Sequence, residues 1–439
     1  MILVVSPCWS GCDGKKLAAS RPQQPTAMRA RYGRYQMRIL HLNVLYPPLV
    51  RGGAERFVAT LAQEQAKLGH DVGVVTLTPT PQPPQVENGV LVHRIGHANL
   101  FWFEEWPKHA APVRYLNKLL ANWNPITLNR VRKVVESFRP DVMNSHCMLA
   151  FAVDSWKAAA ERNIPIVHAL HEFNLFCRNT NAFRNGRMCE GVCLACRITA
   201  PKRWLSRLTS GVVGVSRDVL QRHLDRGFFT HIPPERRSII WSMPPIAIME
   251  RPSHSADAPL TIGFIGRIVP EKGIETLIEA VAGLPPHGWQ LLIAGQVYPP
   301  LNPAALRART AGLPVEWLGV VPAADFYPRI DLLVVPAIWA DPGPLVVHEA
   351  FANAVPVVGS RMGGIADLVE DGATGWLFEP GNVAALREIL AERIRQGRAM
   401  LPKETAFAHF RAETTPRRVA LRYIDIYEAV LLDRSRSAA

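Results

Sequence analysis

The chain has 439 residues, 48% of them apolar, and carries 50 Lys and Arg against 37 Asp and Glu for a net charge of +13. That length accommodates two cores of ordinary size, and that apolar fraction is a globular one, which excludes a wholly disordered chain. No run of 18 or more apolar residues occurs, which excludes a membrane-spanning helix, and no nucleic-acid-binding module accompanies the basic charge, which points to anionic small molecules and an anionic membrane surface rather than nucleic acid.

Residues 1–36 hold six Lys or Arg against one Asp, and removing them lowers the net charge from +13 to +8. Their apolar stretch at 2–5 is too short for a signal-peptide core. This segment is expected to be a disordered basic extension or sequence ahead of the true start. With no export signal, the expected compartment is the reducing cytoplasm.

From residue 37 the pattern is strand, loop, helix. The strand falls at 37–41, and the loop NVLYPPLVRGGAE carries Gly52 and Gly53 just before the helix. Phe57, Leu61 and Leu68 recur at helical spacing, and Gly69 fits a C-terminal cap. Paired glycines at a helix start let backbone approach a phosphate or sugar closely; a plain tight turn is the alternative. The spacing is not G-x-G-x-x-G, so no dinucleotide redox site is expected. Further strands are expected at 72–76, 91–95, 142–145, 164–169 and 211–215. Helical patterns alternate with them, which argues for a parallel sheet wrapped by helices over 37–245.

Within that domain, 101–123 mixes aromatic residues with Lys and Arg. This composition suits either a lipid interface or a variable loop with a surface helix. His146 and His171 each sit at the end of an expected strand, a place where an imidazole can donate a hydrogen bond or move a proton. A structural histidine is the alternative for both. The insert 173–197 reads as polar and without residues for a core of its own. It holds Cys177, Cys189, Cys193 and Cys196 at spacing C-x11-C-x3-C-x2-C. Four thiols so spaced in a reducing compartment fit a structural zinc; free thiols, a redox-sensitive pair or an iron–sulfur cluster are the alternatives.

The Pro- and Ser-rich stretch 246–259 reads as a linker. A second sheet domain is expected over 260–412, and a helix in 413–439. Two motifs in this half carry chemistry. An apolar strand at 260–265 runs into GRIVPEKG, 266–273, and then into a helical pattern. A strand-to-helix junction exposes backbone N–H groups and the positive end of a helix dipole. Arg267 and Lys272 add a guanidinium and an ammonium there, a combination suited to a diphosphate. The second motif, DPGPLVVHEAFANAVPVV at 341–358, follows the strand 332–335 and sets Asp341 and Glu349 eight positions apart. Glu349 lies on an apolar helix, where a carboxylate is costly without a partner. Asp341 precedes Pro342 and also fits an N-cap or turn residue.

These two motifs resemble the donor-binding half of the family 4 retaining glycosyltransferases. The resemblance extends over about 37–432. It implies an α/β protein of the GT-B fold, two facing Rossmann-like domains with a cleft between them, the last helix returning to the first domain. It implies that Arg267 and Lys272 hold the donor diphosphate as it leaves, and that Asp341 contacts hydroxyls of the donor sugar. It further implies that Glu349 bonds the nucleotide ribose and that the backbone of Gly343, Pro344, Leu345 and Val346 lines sugar and phosphate. Gly52, Gly53 and His171 would border the donor, and His146 would lie near the transferred sugar. The usual first acid of the pair is Glu. Asp341 is shorter by one methylene, about 1.5 Å of reach, which puts the sugar contact in question more than the nucleotide contact. The implied reaction needs no catalytic metal, and no Asp-x-Asp motif is present. The implied partners are a nucleoside diphosphate sugar and a glycan or lipid-linked acceptor, with peripheral contact to an anionic membrane. A sugar-nucleotide-binding protein without transfer activity, and an epimerase or phosphorylase on the same fold, are the alternatives.

Overall fold

The computed structural model describes residues 36–120, 122–244 and 258–437. The expected extension, but for residue 36, and the expected linker, but for 258 and 259, lie outside the described residues.

The first half contributes ten strands: β1 (Arg38–Leu42), β2 (Asp71–Thr78), β3 (Gln85–Glu87), β4 (Val90–Gly96), β5 (Val142–Ser145), β6 (Ile166–Leu170), β7 (Phe183–Arg184), β8 (Arg187–Met188), β9 (Gly211–Gly214) and β10 (Arg237–Ile239). Eight of them form one sheet in the order β10-β9-β6-β5-β1-β2-β4-β3. All neighbours run parallel except the edge strand β3, which pairs antiparallel with β4. The central strands are Val-, Ile- and Leu-rich and buried on both faces, as a sheet covered by helices on both sides requires.

The helix Gly53–Lys67 buries Phe57, Val58, Leu61, Ala62 and Gln65 along one side. The last helix, Pro416–Ser437, lies against it and buries Val419, Ala420, Tyr423, Ile424, Tyr427 and Val430 in the same cluster. Tyr423 packs on Phe57 at 6.0 Å between ring centroids. Each large apolar side chain so buried contributes about 2 kcal/mol, which offsets part of the cost of ordering the terminal helix.

The second half forms a six-stranded, all-parallel sheet from β11 (Leu260–Ile265), β12 (Trp289–Ala294), β13 (Val315–Gly319), β14 (Leu332–Val335), β15 (Val357–Ser360) and β16 (Gly375–Phe378), in the order β13-β12-β11-β14-β15-β16. One face packs Leu277, Val281, Leu386 and Leu390; the other packs Phe326, Tyr327, Phe351, Phe407 and Phe410.

Both sheets reverse their winding between neighbouring strands: β1 and β5 in the first, β11 and β14 in the second. Ligands of open α/β sheets bind at such points, beyond the carboxyl ends of the strands. The loops after these four strands hold Gly52–Gly53, His146, Gly266–Gly273 and Asp341. Gly273 has φ +73°, and a Cβ there would stand 1.8 Å from the carbonyl oxygen of Pro336. Only glycine lets the loop after β11 press against the loop after β14.

The insert 173–197 corrects the sequence reading. It does have a core. Phe173, Leu175 and Phe176 are buried, and Phe176 packs against His223 and Phe228. β7 and β8 form its hairpin. The apolar residues sit at its start, anchored to the first domain, so a polar average concealed them.

Candidate functional site

On the second half, Lys272 and Asp341 meet. Lys272 Nζ lies 2.5 Å from Asp341 Oδ2, and the ammonium also stands 5.5 Å from the centre of the Trp339 ring. Asp341 is only 8% exposed. Its main-chain carbonyl accepts from Gly364 N at 2.7 Å, which ties the Pro342–Pro344 turn to the helix Gly363–Leu368. Arg267 is exposed and makes no hydrogen bond or ion pair among the described residues. The helix Leu345–Ala352 begins at that turn, with Gly343, Pro344, Leu345 and Val346 spanning its start. The junction therefore joins one unengaged guanidinium, one ammonium held by a carboxylate, and a set of helix-start amides. An anion of two charges matches this arrangement.

Glu349 is 9% exposed on that helix. Tyr327 donates its hydroxyl proton toward Glu349 Oε2 at 2.9 Å, and Val346 O lies equally near that hydroxyl. Burial pushes the Glu349 carboxyl up to about 7, although Tyr327 and the charge of Arg56 hold it down. Arg56 belongs to the helix Gly53–Lys67 of the first half, so the two halves address one carboxylate.

The halves also meet directly at the glycine pair. A Cβ on Gly53 would stand 1.9 Å from Leu345 Cδ1, and one on Gly343 would stand 2.9 Å from Val215 Cγ2. Gly52 N donates to Glu55 Oε2 at 2.9 Å. Gly53 and Gly343 thus serve close approach of the two halves.

On the first half, His146 and His171 come together: His146 Nδ1 lies 3.1 Å from His171 Nε2. His146 Nε2 in turn lies 3.0 Å from His41 Nδ1, and His41 Nε2 lies 2.7 Å from Gln65 Oε1. Burial lowers all three imidazoles, His41 and His171 to about 4, so they are uncharged at neutral pH. Beside them, burial pushes the Glu172 carboxyl up to about 7 and the Lys202 ammonium down to about 8, each the other's partner in charge. Sequence reasoning singled out neither His41, Gln65 and Lys202 nor Tyr327. His41 is a polar residue inside an apolar strand; Gln65 and Lys202 stand among polar neighbours, which give no such signal.

A cavity of about 590 Å³ opens on the first half beside this cluster. Phe101, Trp102, Phe103 and Trp106 line it, together with Lys118 and Arg178.

None of the four cysteines forms a disulfide. Cys177 and Cys196 are buried, and Cys189 and Cys193 partly so. Cys193 and Cys196 share a hydrogen bond, and the charges of Cys177 and Cys193 act on both Cys189 and Cys196, so the sulfurs gather in one neighbourhood. Among the described residues, however, no group of three or more His, Cys, Asp or Glu is placed to hold a metal ion. The donor chemistry fits zinc; the spacing as it stands does not.

Residues 51–241 match the family Glycosyltransferase Family 4, and residues 259–396 match Glycosyl transferases group 1. An uncharacterised 42.6 kDa protein of the cps region of Klebsiella pneumoniae is 27% identical over 335 residues, 76% of this chain and 87% of that protein. Glycogen synthase of Mycobacterium tuberculosis is 28% identical over 375 residues, 80% of this chain and 84% of that one. Among solved structures, Anabaena HepE in complex with UDP and glucose superposes with a TM-score of 0.53 at 17% identity, over 92% of this chain and 99% of that one. The fold is GT-B.

Proposed function

Because the chain belongs to the group 1, family 4 glycosyltransferases, we propose that it is a retaining, metal-independent enzyme that transfers a sugar from a nucleoside diphosphate to a hydroxyl of a glycan or lipid-linked acceptor. The observation that carries this reading is the Lys272–Asp341 pair beside the unengaged Arg267, at the switch point of the second sheet. Two cations and helix-start amides neutralise a leaving diphosphate without a metal. Lys272 is the pivot: it turns from the carboxylate to the diphosphate when donor arrives, and Asp341 is released toward the sugar hydroxyls. Glu349 takes the ribose. The acceptor hydroxyl attacks the face that the diphosphate leaves. The bond from the anomeric carbon to the phosphate oxygen breaks, the bond to the acceptor oxygen forms, and the hydroxyl proton passes to the departing phosphate. Contact between the halves at Gly53 and Leu345 keeps water from the anomeric carbon.

The aromatic and basic cavity suits the acceptor, since sugar rings and lipid stems both stack on indole and phenyl faces. The neighbouring helix Ala111–Leu120 leaves Val113, Tyr115, Leu116 and Leu119 exposed, interleaved with Arg114 and Lys118. That face suits the anionic surface of a cytoplasmic membrane leaflet. No helix among the described residues is long and apolar enough to cross a membrane. We also propose that zinc draws the four thiols of the insert together as a structural site.

A screen of nucleoside diphosphate sugars by thermal shift, followed by mass spectrometry of the product, tests the reading. A donor that stabilises the protein and yields an α- or β-configuration matching its own supports it. Inversion of configuration, or binding without turnover on any acceptor, overturns it.

A further inference from the structure

Six side chains form one unbroken file of hydrogen bonds from the candidate site into the first sheet. His171 Nε2 meets His146 Nδ1 at 3.1 Å, His146 Nε2 meets His41 Nδ1 at 3.0 Å, and His41 Nε2 meets Gln65 Oε1 at 2.7 Å. Gln65 Nε2 then meets the Tyr427 hydroxyl at 3.4 Å, which meets Asn144 Oδ1 at 2.7 Å. Asn144 Nδ2 ends the file on the main-chain carbonyl of Val167 at 3.0 Å.

The far end fixes the direction of every bond. A carbonyl oxygen only accepts, so the Asn144 amide faces Val167 with its NH2 and Tyr427 with its oxygen. Tyr427 must therefore donate to Asn144, and its oxygen accepts from the Gln65 NH2. That turns Gln65 Oε1 toward His41, which must donate from Nε2. A neutral imidazole has one N–H, so His41 Nδ1 is bare and accepts from His146 Nε2. The same step repeats at His146, which accepts on Nδ1 from His171 Nε2. Burial keeps the three rings neutral, which the alternation requires. His171 is left with its proton on Nε2 and a bare Nδ1. That nitrogen has no hydrogen-bond partner among the described residues, on a partly exposed side chain beside the edge of Phe57. Reversing any one member would set two protons or two lone pairs against each other among buried side chains.

We infer that Tyr427, Gln65 and His41 are positioning residues that lock His171 in its Nε2–H tautomer, so that its bare Nδ1 accepts a hydrogen bond from a substrate hydroxyl. Tyr427 reaches this file from the last helix, 362 positions after Gln65. The C-terminal helix thereby sets the chemistry of the site as well as closing the first core. The part played in catalysis rests on the glycosyl-transfer reading; the tautomer does not.

Long-range proton–nitrogen NMR of protein labelled in its histidines reads each ring directly. In the unaltered protein at pH 6, His41, His146 and His171 are each protonated on Nε2 alone. Gln65→Glu reverses the file. The new carboxylate favours a charged His41, which donates from both nitrogens, so His146 accepts on Nε2 and carries its proton on Nδ1. His171 then accepts on Nε2 and shifts its own proton to Nδ1. Transfer should fall about tenfold in kcat/KM, the scale of one positioned hydrogen bond, while affinity for free nucleoside diphosphate stays within about twofold. Tyr427→Phe removes one oxygen and keeps the helix packing, and it tests the file should Gln65→Glu not fold. Gln65 is then free to turn, and His41 and His146 become mixtures of tautomers. A proton on Nδ1 of His171 in the unaltered protein, or the same tautomers in both variants, overturns the inference. An Nε2–H pattern that reverses in Gln65→Glu, in a protein that transfers no sugar, supports the file and overturns the transferase reading alone.

Discussion

Replacing Glu349 with Gln should strengthen the fold while weakening nucleotide binding. The carboxyl is buried, and its pKa stands near 7 instead of 4.5. Between those two values the native protein holds a proton that the unfolded chain has released. Stability therefore falls as pH rises from 4.5 to about 7 and stays reduced above it. Each tenfold in that proton equilibrium is about 1.4 kcal/mol, so the ionised group costs about 3 kcal/mol at pH 8. The Gln amide carries no such cost, and its oxygen still accepts from Tyr327. Allowing for burial of the amide, the variant should be more stable than the parent by about 2 kcal/mol at pH 8 and less stable by about 1 kcal/mol at pH 4. For a domain of this size the gain at pH 8 is a rise in Tm of about 5 °C. Nucleotide binding should move the other way. A carboxylate that takes ribose hydroxyls contributes about 1.5–3 kcal/mol, so Kd for the nucleoside diphosphate should rise about 10- to 150-fold. The parent should bind more tightly as pH rises from 6 to 8, because the accepting form fills; the variant should keep only the pH dependence that comes from ionisation of the nucleotide's own phosphate. Thermal melts at the two pH values and titration calorimetry with a panel of nucleoside diphosphates measure both. A lower Tm at pH 8, or an unchanged Kd, refutes the assignment of Glu349 as a carboxylate kept for its ligand at the expense of the fold.

Arg267→Ala and Lys272→Ala should each lose about 2–4 kcal/mol of transition-state stabilisation, seen as a fall in turnover with an unchanged far-ultraviolet spectrum; near-normal turnover in either removes it from the diphosphate site. Asp341→Asn should lower turnover or alter the preferred sugar while leaving nucleoside diphosphate affinity in place, and a parallel loss of free-nucleotide binding would contradict its role on the sugar. Elemental analysis of protein purified without chelator should give about one zinc per chain; metal-free, fully active protein with four titratable thiols in the insert excludes the zinc site. Leu116→Glu with Leu119→Glu should abolish flotation with anionic vesicles while leaving donor hydrolysis intact, and unchanged flotation rules out the helix Ala111–Leu120 as the membrane face.

Much of this protein is local, and the sequence by itself determined that part. A strand such as Leu332–Val335 is a short apolar run, below the length of an ordinary helix. The motifs GRIVPEKG and DPGPLVVHE begin in two loops beyond strand ends, the second running on into the helix Leu345–Ala352, because chain punctuation by Gly and Pro acts over a few residues. Arg267, Lys272, Asp341 and Glu349 were therefore legible as chemistry before any fold was known. The edge strand Gln85–Glu87 was not, since three residues carry too little periodicity. Nor was the core of the Cys-containing insert, because burial of Phe173 and Phe176 depends on Phe228 and His223, some fifty positions away. Only the tertiary structure paired Lys272 with Asp341, set Tyr327 and Arg56 about Glu349, and raised that carboxyl to about 7 by burial. It alone joined His171 to Tyr427, through His146 in the loop after β5, His41 of β1 and Gln65 of the helix Gly53–Lys67. Such links depend on distance and on exclusion of water. Both are set by how the sheets and the last helix pack, and neither leaves a mark in the spacing of residues along the chain.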